Sequence, residues 1–532
     1  MSDIIGKYEN CFKENRNLPA LTDFLSGKTY TYFQLAAKIE NNHRTFRENG
    51  IQKGDKIALI GKNSIDWICT YISVITFGAT IVPILPDFNP KDVVGIINHS
   101  DSKILFADKS LLEKLSVSDM TGIQKIFCIE EMPTPDYKKF DIDAVKYCDA
   151  DDEHTLVISY TSGTTGTSKG VMIPARSISH NVAFAVDHNF HFKGSHVLSL
   201  LPLAHTYGCA FDMLAPLSVG SHIFVLGRIP SPKVLLGALA QVRPHLICTV
   251  PLVMEKIVRK NIFPKLENGT TKFLLRIPLL NTLIHKKVRK ELLTAFGGNL
   301  MEVNMGGAAL APDIEKFLKK IKFPFTVGYG MTECGPLISY ERWKFFKSGS
   351  CGRILPGMEA MIDENGYDKG LGEICVRGLN VMTGYYKNPE ATAEALHDGW
   401  LHTGDVGYLE KDGTLYIKGR CKSMILTSSG QNIYPEDIEG KLNNLPGVGE
   451  SLVYETGGKI YALVVPDPDC LKENEGNYEP VKELMKENLV KLNQMVAPYE
   501  KVNEIQICSE SFEKTPKQSI KRFLYPKNAK FV

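Results

Sequence analysis

A chain of 532 residues is too long for one ordinary hydrophobic core and is expected to divide into two or more packed units. Hydrophobic residues make up 43%, an ordinary globular share, and 62 basic against 60 acidic residues leave a net charge of only +2, so no chain-wide field exists to hold a nucleic acid. The twelve cysteines stand singly with no C-x-x-C pair, which argues against a zinc site and against a disulfide framework.

In chain order, residues 1–11 lack the basic and apolar regions of a secretory signal, so a cytoplasmic protein is expected. From about residue 30 to 330, helical patterns alternate with short β-branched runs: a strand at 56–60, a helix through 67–77, a strand at 103–106. That alternation predicts α/β layers around largely parallel sheets. The most apolar stretch, 71–85, contains Thr76, Gly78, Thr80 and Pro83 and runs into Pro86-Asp87. It falls short of the roughly 18 to 20 apolar residues that cross a bilayer and reads as a buried helix followed by a strand. No transmembrane segment is expected, and peripheral membrane contact stays open.

An apolar strand at 155–159 leads into Tyr160-Thr161-Ser162-Gly163-Thr164-Thr165-Gly166-Thr167-Ser168-Lys169-Gly170. Glycines let backbone N–H groups approach a ligand, hydroxyls add donors and the lysine adds charge, so the loop is suited to phosphate. It is not a Walker A loop, because the spacing is G-x-x-G-x-x-K-G with no Ser or Thr after the lysine. Farther on, strands at 372–377 and 413–417 between Gly-rich and Asp-Gly turns predict a more antiparallel, barrel-like element.

Beyond Arg420 the chain carries a complete small α+β inventory. Strands are expected at 450–454, 459–465 and 503–508, with a helix after Pro480 whose apolar positions are Val481, Leu484, Leu489, Leu492 and Val496. We place the boundary at Gly419-Arg420, giving a large unit 1–419 and a small one 420–532.

Leu201-Pro202-Leu203-Ala204-His205, Gly306-Gly307-Ala308, Gly328-Tyr329-Gly330-Met331-Thr332-Glu333, Gly399 to Asp405 and Ile417-Lys418-Gly419-Arg420 follow the phosphate loop. In this order the motifs resemble those of the adenylate-forming superfamily, over nearly the whole chain. The resemblance implies that fold, with a mobile C-terminal unit. It also implies ATP, Mg²⁺ and coenzyme A as reaction partners of a carboxylic acid substrate. The acid attacks the α-phosphorus of ATP, pyrophosphate leaves, and the acyl group of the acyl-AMP passes to the thiol.

By the same resemblance, the loop residues Thr161 to Gly166 and Lys169 hold phosphate and Glu333 holds Mg²⁺. Thr332 beside it adds a hydroxyl to a site suited to a hard cation. Tyr329 and Gly330 border the adenine, Asp405 accepts the ribose hydroxyls, and Arg420 contacts ribose and phosphate. Gly306, Gly307 and Ala308 lie between adenine and acyl sites, and His205 borders the acyl site. Lys422 falls at the hinge, and Gly430 in Ser428 to Pro435 lines the thiol tunnel. Taken alone, Glu333 reads equally as a surface residue and Asp405 as an Asx-turn residue.

The pattern breaks near the C-terminus, where Lys514-Thr515-Pro516-Lys517-Gln518-Ser519-Ile520-Lys521-Arg522 has Ser519 at the position of the family's lysine. Lys517 and Lys521 lie two residues to either side, about 6 to 7 Å away in extended chain, and are the candidate replacements, Lys517 first. The reading is an acyl-CoA synthetase for a medium- or long-chain fatty acid. Its rivals are an aryl-acid or acyl carrier protein ligase and a nucleotide-binding protein impaired in adenylation. Monomer and homodimer both remain open.

Overall fold

The computed structural model describes the chain apart from residues 1–3, 163–167, 228–231, 368, 427–431, 475 and 516–518. Its centre is a seven-stranded sheet in the order Gly384–Tyr385, Ser168–Pro174, Thr155–Ser162, Thr80–Ile84, Lys56–Ile60, Ser102–Ala107, Lys125–Cys128. The last five strands in that order run parallel, and the first two pair antiparallel. A run expected at 71–85 as helix then strand is Ile65–Phe77 followed by Thr80–Ile84. Ser64 caps the helix by accepting the Trp67 N–H, and Gly78 ends it at φ +83°. Every residue of the strand is buried, as a parallel strand covered on both faces requires. No helix among the described residues is long and apolar enough to cross a membrane.

A second layer is four-stranded, with His196–Ser199 parallel to His222–Val225. A third is the parallel trio Leu246–Thr249, Glu302–Met305 and Phe325–Val327, with its own core around Leu239, Val258, Ile314 and Phe323. From Tyr329 the architecture turns antiparallel. Tyr329–Gly330, Leu337–Tyr340 and Arg353–Ile354 form one sheet, joined through the Arg353–Thr414 bridge to a five-stranded sheet over 358–420. This is the barrel-like element expected from the turn pattern.

After residue 420 the chain builds a separate core on Val448–Thr456, Lys459–Pro466 and Val502–Ile507. One face packs Ile438, Leu442, Val481, Met485 and Leu492, and the other packs Leu452 and Leu463 against Phe512 and Tyr525. Alternation along the strands divides their side chains between the two cores. The helix Glu479–Met495 buries Val481 and Leu492 as expected, with Leu484 and Leu489 partly covered. Val496 lies beyond its end, while Met485 and Asn488 complete the buried face, Asn488 donating to the Pro446 carbonyl at 2.8 Å.

Candidate active site

The three strands of the parallel trio end in one row, Thr249 beside Met305 beside Val327. Loops that leave the carboxyl ends of parallel strands converge there, which is where open α/β sheets take ligands. Gly306–Ala308 leaves one strand and Gly328–Glu333 the next. Gly307 and Ala308 are exposed, whereas Gly306 is buried. The side of Gly306 is taken by the Tyr207 ring: a Cβ on Gly306 would stand 3.3 Å from it. Tyr207 donates to the Asn304 carbonyl at 2.9 Å, so the ring is tied to the same strand.

His205 caps the turn that carries Tyr207. Its Nδ1 accepts the Tyr207 N–H at 3.2 Å, which makes Nε2 the protonated nitrogen of the neutral ring.

The segment read as a phosphate loop is entered and left by two antiparallel strands. Thr161 pairs with Lys169 and Ser162 with Ser168, and Gly163, Thr164, Thr165 and Gly166 lie outside the described residues. The second of these strands pairs with Gly384–Tyr385, which sets the half-buried Lys169 ammonium 4.8 Å from the centre of the Tyr385 ring. Tyr385 donates its hydroxyl to Glu333 Oε1 at 3.0 Å. Burial and the adjacent Glu333 raise the Tyr385 phenol, so it stays a donor. Glu333 sits in the single turn Thr332–Cys334, with Thr332 buried beside it.

A second chain of contacts begins at Tyr329, which is buried and donates to Asp405 Oδ2 at 2.6 Å. Asp405 is only 6% exposed, and its other oxygen lies 3.1 Å from Arg420 Nε. Burial raises the Asp405 carboxyl and Arg420 opposes that. The pair meets because Trp400–Leu409 and Leu415–Arg420 are antiparallel with Asp405 directly opposite Arg420. Asp405 is therefore a strand residue rather than an Asx-turn residue. The charge of Glu333 acts on both Asp405 and Arg420, so the two chains share one electrostatic site.

Sequence reasoning passed over the support beneath Asp405. Gly404 holds φ +72°, a conformation that favours glycine, and its N–H donates to Glu373 Oε1 at 2.8 Å. Glu373 Oε2 lies 3.0 Å from His402 Nδ1, which also meets Cys375 Sγ at 3.4 Å. Burial and Glu373 push the Cys375 thiol up to about 12, and the three side chains, with ligand atoms within 4.8 Å of one another, brace the turn at Gly404. Their signal was the Glu373–Cys375 spacing, which puts both on one face of a strand.

The C-terminal candidates stand apart. Lys514 bridges Ile520 antiparallel, and the Thr515 N–H donates to the Ser519 carbonyl at 2.8 Å. Lys521 faces Glu513 at 3.6 Å, and no described contact brings it to Glu333 or Asp405. Lys517 and Gly430 lie outside the described residues. Lys422 is exposed in the turn Cys421–Ser423.

Parallel strands ending beneath the Gly306–Ala308 and Gly328–Glu333 loops, with an antiparallel wall that carries Asp405 and Arg420, form the architecture of adenylate-forming enzymes. The chain belongs to the AMP-binding enzyme family, whose profile matches residues 8–386. It is 28% identical over 496 residues to long chain acyl-CoA synthetase 3 of Arabidopsis thaliana, covering 82% of this chain and 72% of that one. It is 29% identical over 477 residues to 4-coumarate--CoA ligase 3 of Oryza sativa subsp. japonica, covering 84% and 79%. The anthranilate CoA ligase AuaEII, solved with anthranoyl-AMP, superposes with a TM-score of 0.82 at 18% identity over 99% of this chain and 97% of that one.

Proposed function

We propose that the chain is an ATP-dependent acyl-CoA ligase that makes acyl-AMP and pyrophosphate from a medium- or long-chain fatty acid, then transfers the acyl group to coenzyme A. The observation that carries this is the joined site: Lys169, Tyr385 and Glu333 on one side, Tyr329, Asp405 and Arg420 on the other.

Asp405 and Arg420 bind the ribose, and Lys169 with the 161–166 loop holds the phosphates while the acid attacks in line. Catalysis of this step is positioning and charge stabilisation. The oxygen donors of Glu333 and Thr332 fit Mg²⁺, which when bound neutralises phosphate charge. Residues 420–532 act as a mobile unit turning near Lys422, delivering Lys517 or Lys521 for the first step and the Gly430 loop for the second. His205 and Tyr207 border the acid.

An aryl acid is the second reading, favoured by the aromatic Tyr207 wall at Gly306 and by the rice relative's name. ATP–pyrophosphate exchange over a panel of aliphatic and aryl acids decides between them, followed by product analysis with coenzyme A. AMP and pyrophosphate are expected with an aliphatic acid of intermediate or greater length. ADP in step with acyl product would overturn the ligase reading, and exchange confined to aryl acids would overturn the fatty-acid one.

A further inference from the structure

Between Asn268 and Lys290 the chain contains Lys272, Arg276, Lys286, Lys287, Arg289 and Lys290 and not one Asp or Glu, in a protein whose net charge is only +2. The same stretch holds the densest run of exposed large apolar side chains among the described residues. Phe273 is 63% exposed, Ile277 40%, Leu279 73% and Leu283 53%. Single exposed apolar residues are ordinary, but four within eleven positions at one corner of the fold are not.

The corner is built, not frayed. The short helix Gly269–Leu274 turns into Pro278–Ala295, and Asn281 ties the two by donating from its side chain to the Leu275 carbonyl at 2.6 Å and from its backbone to the Ile277 carbonyl at 2.8 Å. The far end of the long helix is anchored in the core through Leu292. Leu279 and Leu283 are four residues apart and share a face, and Lys286, Lys287 and Lys290 continue that row at three- and four-residue steps. No ion pair among the described residues holds Lys272, Arg276, Lys286, Lys287 or Lys290. Apolar side chains at the tip with unpaired cations behind them match the two layers of an anionic bilayer surface, acyl chains beneath and phosphates above.

We propose that this corner, Phe273 to Lys290, docks the protein on an anionic lipid bilayer. Phe273, Ile277, Leu279 and Leu283 enter the headgroup boundary while Lys272, Arg276 and the lysines of the long helix lie over lipid phosphates. Each base near such a surface strengthens binding roughly five-fold, so salt weakens the attachment steeply.

The test is flotation of the full chain with vesicles of phosphatidylcholine alone or with about one third phosphatidylglycerol, without ATP or acid, so its outcome is independent of the ligase reading. The wild type is expected to float with the anionic vesicles only, and about ten-fold less at roughly 0.5 M salt than at 0.1 M. Leu279→Ser with Leu283→Ser should lower binding at least ten-fold with unchanged melting temperature, because both side chains are already in solvent. Lys286→Glu, Lys287→Glu and Lys290→Glu together should abolish the preference for anionic lipid. Equal flotation with both vesicles, or none, overturns the proposal. So does a dimer in sedimentation that the two serine variants convert to monomer, since the face would then pack against a second copy.

Discussion

Two segments carry the lysines proposed to act on ATP, and they are held in opposite ways. The antiparallel pair of Thr155–Ser162 and Ser168–Pro174 lies inside a seven-stranded sheet, with Thr80–Ile84 on one side and Gly384–Tyr385 on the other. Lys169 is placed by backbone pairing and by the Tyr385 ring. The C-terminal segment rests on a minor core around Phe512 and Tyr525, and Lys521 is held by an exposed pair with Glu513. An exposed pair of that kind contributes about 0 to 1 kcal/mol. A lysine so lightly held is suited to delivery, and one set in a sheet is suited to waiting for its ligand.

The largest effect should come from the lightly held segment. Lys517→Ala with Lys521→Ala is expected to lower acyl-adenylate formation about 100- to 1,000-fold, as loss of a fixed charge donor typically does. Thioester formation from supplied acyl-adenylate should stay near wild type. Wild-type adenylation in the double variant would leave Lys169 as the lysine that matters.

The fixed side is sharpened by Glu333→Gln, expected to cost about 100-fold in adenylation with partial recovery at raised Mg²⁺. Tyr385→Phe, which removes only the hydrogen bond to Glu333, should cost about ten-fold or less. Indifference of Glu333→Gln to limiting Mg²⁺ would remove its metal role.

Much of this was readable from residues alone. Asp405 and Arg420 stood in recognisable motifs, and the strand alternation beyond residue 420 announced a second core. Tyr385 was not legible, because it reaches Glu333 only through a two-residue strand at a sheet edge.

The smallest effect separates the two regions by pH. Burial raises the carboxyls of Asp212 and Glu302 to about 7 each, and both belong to the body, not to the C-terminal segment. Raised folded-state values mean that the native state holds these protons more tightly than the unfolded chain. The stability they add is full below about pH 4 and is lost as pH rises through 7. Melting temperature should therefore fall as pH rises from about 4 to about 7. Asp212→Asn should flatten the curve, and a slope unchanged in that variant would place the titration elsewhere.

Arg420 ends the strand Leu415–Arg420, faces Asp405, and through its carbonyl accepts the Met424 N–H at 3.1 Å across the turn that holds Lys422. A ribose that draws Asp405 or Arg420 toward itself thus acts on the first turn of the segment proposed to pivot. In that cycle, reciprocity binds the two events: whatever factor nucleotide occupancy applies to the pivot's equilibrium, the pivot's position applies to nucleotide affinity. Release of AMP and reorientation of residues beyond 420 then become one equilibrium measured from two ends.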